Sequence, residues 1–385
     1  MQKKIVFLIR DLNYGGAERQ LVTLAKALDK QCFDVTILCF YSSTSLSLER
    51  DLKDHNISII HLEKQGRWHL LSFFWRLVQH LQRIDPDILH GYGGTPNLLT
   101  IFLKPFFPST FMVWGLRNSN SDANFYDWLG RLIFKLECIL AKFVNLIVVN
   151  SYAGKTYYLS HGFPANKMMV ISNGIDIELF RPDLEARKKV RSQWGISQDT
   201  ILIGLVGRLD LRKDHQTFLK AATLLSEDIH NVHFVCVGGG SENYARELHE
   251  LANQLGISEK IIWEKARADM PAIYNALDII VSSSYTEGFP NVIGEAMSCG
   301  VACVVTDVGD SALIVDNPDV VVPPKNSEAL KIALKKLIEN SSINGCDRTE
   351  IRQRIIDHFS VTNLVRKTEA ALLNLSHESI SKYKI

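Results

Sequence analysis

Ser282–Gly300 reads SSSYTEGFPNVIGEAMSCG and sits between two short apolar runs, Ala276–Val281 (ALDIIV) and Val301–Thr306 (VACVVT). Both runs have the length and content of buried strands. The stretch between them holds a Gly/Pro turn and room for one short helix, with Pro290 suited to the first helical position and Gly300 to the stop. Strand, tight loop, helix, strand is a βαβ unit. Its loop, Glu287-Gly-Phe-Pro-Asn291, then lies at the carboxyl end of the first strand, where open parallel sheets bind their ligands. Gly288 lets the backbone approach a ligand closely, and the free N–H groups that open the helix favour an anion such as a phosphate. Glu287 falls in the loop and Glu295 about one turn into the helix. A carboxylate in such a place can accept two hydrogen bonds from the vicinal diol of a ribose, and the other can reach a sugar hydroxyl next to the phosphates. The plain alternative is that Glu287 is a turn residue and Glu295 complements the helix dipole.

The chain has 385 residues, which suits two α/β domains better than one core. Its 46% hydrophobic content is that of a globular protein. No 20–50-residue repeat, low-complexity tract or apolar run long enough to span a bilayer is present. Met1–Arg10, MQKKIVFLIR, begins like a signal peptide, but its apolar core stops at Ile9 and no small-residue cleavage site follows, so it reads as a first buried strand. The seven cysteines are scattered without a C-x-x-C pair, as expected of a reduced cytoplasmic protein. A net charge of +1 does not favour nucleic acid as a partner. The halves differ: residues 1–175 carry 19 Lys/Arg against 13 Asp/Glu, and the rest carries 24 against 29. The first half therefore attracts anionic partners, unless the excess is simply a solvated face.

Along the chain, Lys4–Arg10, Asp34–Phe40, Ile57–Leu62, Ile88–His90, Phe111–Leu116, Leu146–Asn150 and Met168–Ile171 read as strands of a first sheet. Tyr14-Gly15-Gly16 precedes a helix over Ala17–Leu28, an arrangement open to a phosphate or sugar and equally to a plain turn. Asp85-Pro86-Asp87 has the D-x-D form of a metal-nucleotide site, but Pro86 and the strand that follows make it a turn. His90 is either a cleft residue or a satisfied core histidine. Gly91–Thr95 reads as a glycine loop able to shape an acceptor side. Arg117, just past a strand, either binds an acceptor phosphate or is a surface arginine. Trp68–Ile84 and Phe125–Phe143 read as helices. In the latter, Arg131, Lys135 and Lys142 interleave with Trp128, Leu132 and Leu136, which fits either an amphipathic core helix or one lying on an anionic membrane. A second sheet opens with Thr200–Val206 and continues with His233–Val237 and Ile261–Trp263. Thr200–Val206 leads into Gly207-Arg208-Leu209-Asp210-Leu211-Arg212-Lys213, where Arg208 and Lys213 can both converge on one diphosphate. Gly238–Gly240 lacks the spacing of a dinucleotide site. Val320–Val322 suits a short edge strand, and Ser327–Glu339 and Glu350–Leu375 suit helices. Ser376–Ile385 is a polar tail.

Four strings together resemble the retaining glycosyltransferases of family GT4: GGAER at Gly15–Arg19, NGID at Asn173–Asp176, G-R-L-x-x-x-K at Gly207–Lys213, and E-x7-E at Glu287–Glu295. The resemblance covers nearly the whole chain. It implies a GT-B fold, with two doubly wound Rossmann-like domains facing a central cleft: an acceptor-side domain over 1–175, a nucleotide-sugar domain over 176–355, and a last helix over 356–385 that crosses back. It implies a donor that is a nucleotide-sugar, a UDP-sugar, and a saccharide or lipid-linked acceptor in polysaccharide or lipopolysaccharide assembly. By the resemblance, Arg208, Lys213 and the loop Gly288-Phe289-Pro290-Asn291 hold the diphosphate, with Gly15 and Gly16 closing over it. Glu295 holds the ribose, Glu287 faces the donor sugar, and Arg267 lies near the nucleobase. Many members carry a histidine near the strand end where Arg117 stands here, so Arg117 is the candidate for its place. No cofactor and no divalent metal are expected, and the protein is expected in the cytoplasm, at the inner face of the membrane. The other classes that fit the chain are a catalytically silent nucleotide-sugar-binding protein of the same fold and, less well, a dehydrogenase.

Overall fold

A computed structural model describes residues 2–13, 15–43, 47–64, 70–117, 128–339 and 346–375. Tyr14, Asn118–Ser119, the Trp68 and Phe125 ends of two expected helices, and the tail Ser376–Ile385 lie outside them. The chain divides into two units, one of residues up to Gly174 together with those from Val361 on, the other Ile175–Ser360.

In unit 1 the strands are β1 (Lys3–Ile9), β2 (Phe33–Cys39), β3 (Ser58–His61), β4 (Ile88–Tyr92), β5 (Phe111–Leu116), β6 (Leu146–Val149) and β7 (Met168–Val170). They form one parallel sheet in the order β3-β2-β1-β4-β5-β6-β7, with Ile5 opposite both Val35 and Ile88. The near-continuous apolar runs exist because both faces of the sheet are covered. Ile5, Phe7 and Ile9 point into a core shared with α1 (Gly16–Ala27), α2 (Ser47–Asp54) and the last helix. Val6 and Leu8 point the other way, towards α3 (Leu70–Ile84) and the inner side of α4 (Gly94–Leu103). α4 also packs with α5 (Trp128–Leu140) over Trp114, Ile147 and Val149. So α3, α4 and α5 lie side by side on one face, and the strand period of two decides which residue meets which layer. α6 (Tyr152–Ser160) joins β6 to β7.

In unit 2, α7 (Leu184–Gln193) precedes a six-stranded parallel sheet. Its strands are β8 (Ile201–Val206), β9 (Val232–Val237), β10 (Ile261–Glu264), β11 (Ile279–Ser282), β12 (Ala302–Thr306) and β13 (Val321–Val322), in the order β10-β9-β8-β11-β12-β13. The helices between them are α8 (His215–Asp228), α9 (Glu242–Gln254), α10 (Met270–Ala276), α11 (Asn291–Ser298) and α12 (Ser311–Val315). α13 (Ser327–Glu339) and α14 (Cys346–Phe359) follow, and α15 (Val361–Leu373) belongs to unit 1. Both strand orders reverse beside the first strand of the sheet, the doubly wound arrangement.

Several elements differ from the sequence reading. Ala276 closes α10 instead of opening a strand, because Arg187 Nη1 donates to the carbonyls of Asn275, Ala276 and Leu277 at 3.2–3.3 Å and so caps the helix. The strand then needs only Ile279–Ser282. Pro290 is the residue before α11, not its first, with φ −76° and ψ 97°. Gly300 does follow the helix, at φ +74°, a conformation that costs other residues more. Gly91 and Tyr92 belong to β4 and Gly94 already opens α4, so the glycine loop is shorter than 91–95. The expected single helix 350–375 is broken at Ser360: Ile175 N donates to Phe359 O at 2.8 Å and Ile175 bridges Ser360. No Gly or Pro marks that break. Asp85-Pro86-Asp87 is a structural turn, since Asp87 Oδ2 accepts from Lys4 N at 2.8 Å and Thr110 Oγ1 donates to Pro86 O at 2.8 Å.

Candidate functional site

In unit 2 the strand order reverses between β8 and β11, so the chain ends leaving these two neighbours diverge and open a crevice. The sequence delivers its charged motifs there: Gly207–Lys213 leaves β8 and Ser283–Asn291 leaves β11. Asp210 shapes the first loop. Its side chain caps the single turn Leu211–Lys213 by accepting from Arg212 N at 2.9 Å. It also takes a two-pronged contact from the Arg212 guanidinium, Nε at 2.9 Å and Nη2 at 2.7 Å. That guanidinium holds the Asp210 carboxyl down at about 2. Asp214 follows at φ +48° and caps α8 through Thr217 N.

Lys213 is thereby turned towards the β11 loop, where its Nζ forms an ion pair with Glu287 Oε1. Ser284 Oγ donates to the same oxygen at 2.7 Å. Ser283 Oγ ties the loops together from below, donating to the carbonyls of Lys213 at 2.8 Å and Asp214 at 3.0 Å. Arg208 differs: its side chain is 75% exposed, with its nearest carboxylate oxygen, on Asp210, at 3.9 Å. The pair Lys213–Glu287 is thus fixed in place, while the Arg208 guanidinium extends into solvent.

Gly288 is held by Asp310 N, which donates to its carbonyl at 2.9 Å. Gly309, at φ +58°, lies so close that a Cβ there would meet Gly288 O at 2.5 Å and Glu287 O at 2.6 Å. Phe289 turns its ring inward against Phe359, 5.5 Å between centroids, so only its backbone is left for a ligand. Asn291 opens α11 with no acidic residue in the first turn. Glu295 is buried, and its Oε2 accepts from Tyr274 OH at 2.6 Å. Arg267 stands at the end of β10 and is engaged by Asp269 at 2.6 Å and Glu264 at 3.6 Å.

The candidate residues of unit 1 gather at the carboxyl ends of its strands. Gly15, extended at φ −145°, precedes α1 and Gly16 is its first residue. Arg117 is no solvated surface side chain. Its Nη1 donates to Asn173 Oδ1 at 3.0 Å, its Nη2 donates to Tyr92 OH, and its guanidinium lies 4.4 Å from the Tyr92 ring centroid. His90 is buried beneath Tyr92, 5.4 Å between rings. Burial, with help from Arg117, pushes its imidazole down to about 3, so it is neutral. It is not the satisfied core histidine of the sequence reading, because neither ring nitrogen has a hydrogen-bond partner among the described residues.

Sequence reasoning missed Asp210, Ser284, Tyr274 and Gly309. Asp210 and Gly309 had a local signal, an acid inside the cationic loop and a glycine just after a strand. Ser284 and Tyr274 had none, because their roles exist only once β8, β11 and α10 are assembled. Among the described residues no group of three His, Cys, Asp or Glu is placed to hold a metal ion, and no helix is long and apolar enough to cross a membrane.

Residues 14–179 match the profile of the Glycosyltransferase Family 4 and residues 186–357 that of the Glycosyl transferases group 1. The chain is 25% identical over 384 residues to the UDP-Gal:alpha-D-GlcNAc-diphosphoundecaprenol alpha-1,3-galactosyltransferase of Escherichia coli, covering 94% of each. It is 26% identical over 284 residues to the N,N'-diacetylbacillosaminyl-diphospho-undecaprenol alpha-1,3-N-acetylgalactosaminyltransferase of Campylobacter jejuni, 71% of this chain and 73% of that one. The crystal structure of Anabaena HepE in complex with UDP-glucose superposes with a TM-score of 0.84 at 23% identity, over 97% of this chain and all of that one.

Proposed function

Because this chain belongs to the GT4-type glycosyltransferases and has their GT-B fold of two Rossmann-like domains, we propose that it transfers a hexose or N-acetylhexosamine from a UDP-sugar, with retention of configuration. The acceptor is a saccharide or lipid-linked saccharide in polysaccharide or lipopolysaccharide assembly, at the cytoplasmic face of the membrane. The observation that carries the donor half is the meeting of Lys213 and Glu287 at the β8–β11 reversal, beside Arg208 and the start of α11, whose first turn holds no acidic residue. The two relatives above are named for transfer to diphosphoundecaprenol-linked sugars, and HepE was crystallised with UDP-glucose, which supports both halves of the reading.

In this mechanism Arg208, Lys213 and the N–H groups opening α11 hold the diphosphate, Glu295 the ribose and Glu287 the donor sugar. The bond from the anomeric carbon to the phosphate oxygen breaks, and a bond to the acceptor hydroxyl oxygen forms on the same face. Direct attack on that face needs no side-chain nucleophile, and the hydroxyl proton passes to the leaving phosphate oxygen, so no side chain needs to act as the base. Charge develops on the leaving diphosphate beside Lys213, which its pair with Glu287 already fixes, with the solvent-extended Arg208 on the same loop, and these cations supply the role a divalent metal plays elsewhere. The test is turnover of a panel of UDP-sugars with EDTA present. Activity should persist with EDTA, and Arg208→Ala or Lys213→Ala should lose about 10²–10³ in kcat, a loss that Mg²⁺ does not restore. Activity abolished by EDTA and recovered with Mg²⁺ or Mn²⁺ overturns the metal-free mechanism. No turnover and no binding of any UDP-sugar overturns the donor assignment.

A further inference from the structure

We propose that the outer face of the α3–α4–α5 layer of unit 1 docks on an anionic lipid bilayer. This rests on the reading that the acceptor is lipid-linked. The three helices lie side by side on one face of the sheet, and their inner sides fill the core with Phe73, Leu77, Leu98, Leu103, Ile133 and Phe134. Their outer sides are also apolar, which a soluble face is not expected to be. Trp75 is 55% exposed, Phe102 52% and Trp128 71%. Leu132, Ile139 and Phe143 continue the Trp128 stripe along α5 and the turn after it, at the spacing of one helix face. Phe106, after α4, joins the α3 group, with ring centroids 5.7 Å from Phe74 and 6.2 Å from Trp75.

The charges select the occupant. α3, α4, α5 and the turn Ala141–Phe143 contain five Lys or Arg and a single acid, Glu137. Glu137 is buried and accepts from Asn97 Nδ2 at 3.1 Å, so it does not offset the surface charge. Arg83, Arg131, Lys135 and Lys142 are exposed, and Lys142 lies 5.1 Å from the Phe143 ring centroid. The opposite layer of the same sheet, α1, α2 and α15, is balanced, with six bases and five acids. Aromatic side chains interleaved with lysine and arginine, with no exposed acid among the described residues of these helices, suit the headgroup level of an anionic membrane. A protein partner fits less well, since lysine is depleted from the apolar centres of protein interfaces.

Cosedimentation of the whole protein with phosphatidylglycerol–phosphatidylcholine vesicles, against pure phosphatidylcholine vesicles, tests the proposal. Binding should require the anionic lipid and fall with added salt. Lys135→Gln and Lys142→Gln should each weaken it about fivefold. Phe102→Ser with Trp128→Ser should weaken it tenfold or more, about the worth of one large apolar side chain withdrawn from water. These positions are more than half exposed, so the fold should survive. Ile332→Ser on unit 2, at 62% exposure, should change nothing. The proposal is overturned if anionic vesicles do not bind the protein at low salt, or if the four substitutions leave binding unchanged. It is also overturned if the protein instead forms a dimer that the two serine substitutions dissociate. UDP titration run in parallel separates the failures: UDP binding without vesicle binding strikes only at this face, and vesicle binding without UDP binding strikes only at the donor assignment.

Discussion

The two units share a doubly wound parallel sheet and use their side chains in opposite ways. Unit 1 turns aromatic residues outward: among the described residues every exposed Trp, Phe and Tyr belongs to it. Unit 2 keeps its aromatics inside or half-buried and joins its charges into ion pairs. Asp278, buried, meets Arg187 at 2.7 Å and Arg191 at 3.2 Å, and Asp228 meets Lys331 and Lys335 at 2.8 Å each. The pair Lys213–Glu287 belongs to the same habit. One architecture thus yields an outward apolar and basic surface in one unit and, in the other, charges gathered into pairs. The sheet dictates neither use; the loops and outer helix faces do.

The sharpest way to break this contrast is at Asp278. Arg191 is fully buried and depends on Asp278 Oδ2, which also accepts from Leu202 N at 2.8 Å. Asp278→Asn keeps the shape and removes the charge, leaving buried guanidinium groups uncompensated, so unit 2 should lose about 3–5 kcal/mol. Scanning calorimetry should show one transition moving down while that of unit 1 stays. A common shift of all unfolding would show that the units do not keep separate accounts of stability.

Unit 1 contains the reverse case, a buried acid with no paired cation among the described residues. Burial pushes the Glu137 carboxyl up to about 7 from 4.5, and the hydrogen bond from Asn97 only partly opposes this. The folded state therefore holds a proton that the unfolded chain has already released, and stability falls as pH rises from about 4.5 to 7, then levels. Glu137→Gln, which keeps an acceptor for Asn97, should remove that slope. It should raise stability at pH 8 by on the order of 2–3 kcal/mol. Denaturant midpoints measured across pH check this, and an unchanged slope would mean that the Asn97–Glu137 pair is not the source.

The smallest effect is expected at Glu295. If it holds the ribose in ground and transition states alike, Glu295→Ala should raise the donor KM more than it lowers kcat, by about tenfold, the worth of one hydrogen bond to a charged group. Tyr274→Phe, which removes only the OH on Glu295 Oε2, serves as the milder companion. An unchanged donor KM in Glu295→Ala would leave the carboxylate with a purely structural role beneath α11.

Much of this was readable along the chain. Strand β5 spans Phe111–Leu116 and helix α13 spans Ser327–Glu339, as their apolar patterns predict. Burial on both faces of a parallel sheet leaves an unbroken apolar run, and loops after such runs fall at the ligand edge whatever the rest of the chain does. That is why Gly207–Lys213 and Glu287–Glu295 could be placed from sequence. Boundaries fixed by distant partners were not readable. Arg187 caps α10 from 88–90 residues away, and Ile175 breaks the last helix at Phe359.

By itself the sequence determined the alternation of strands and helices, the loops that carry the charges, and an amphipathic Phe125–Phe143 segment, because period and local composition act within a few residues. Only the tertiary structure decided that Lys213 meets Glu287 and Tyr274 meets Glu295, and that the Trp128–Phe143 stripe faces outward with Glu137 turned inward. Which neighbours a side chain meets depends on strand order and on what covers each helix. Those are long-range properties, set by how the whole sheet assembles, and no local pattern encodes them.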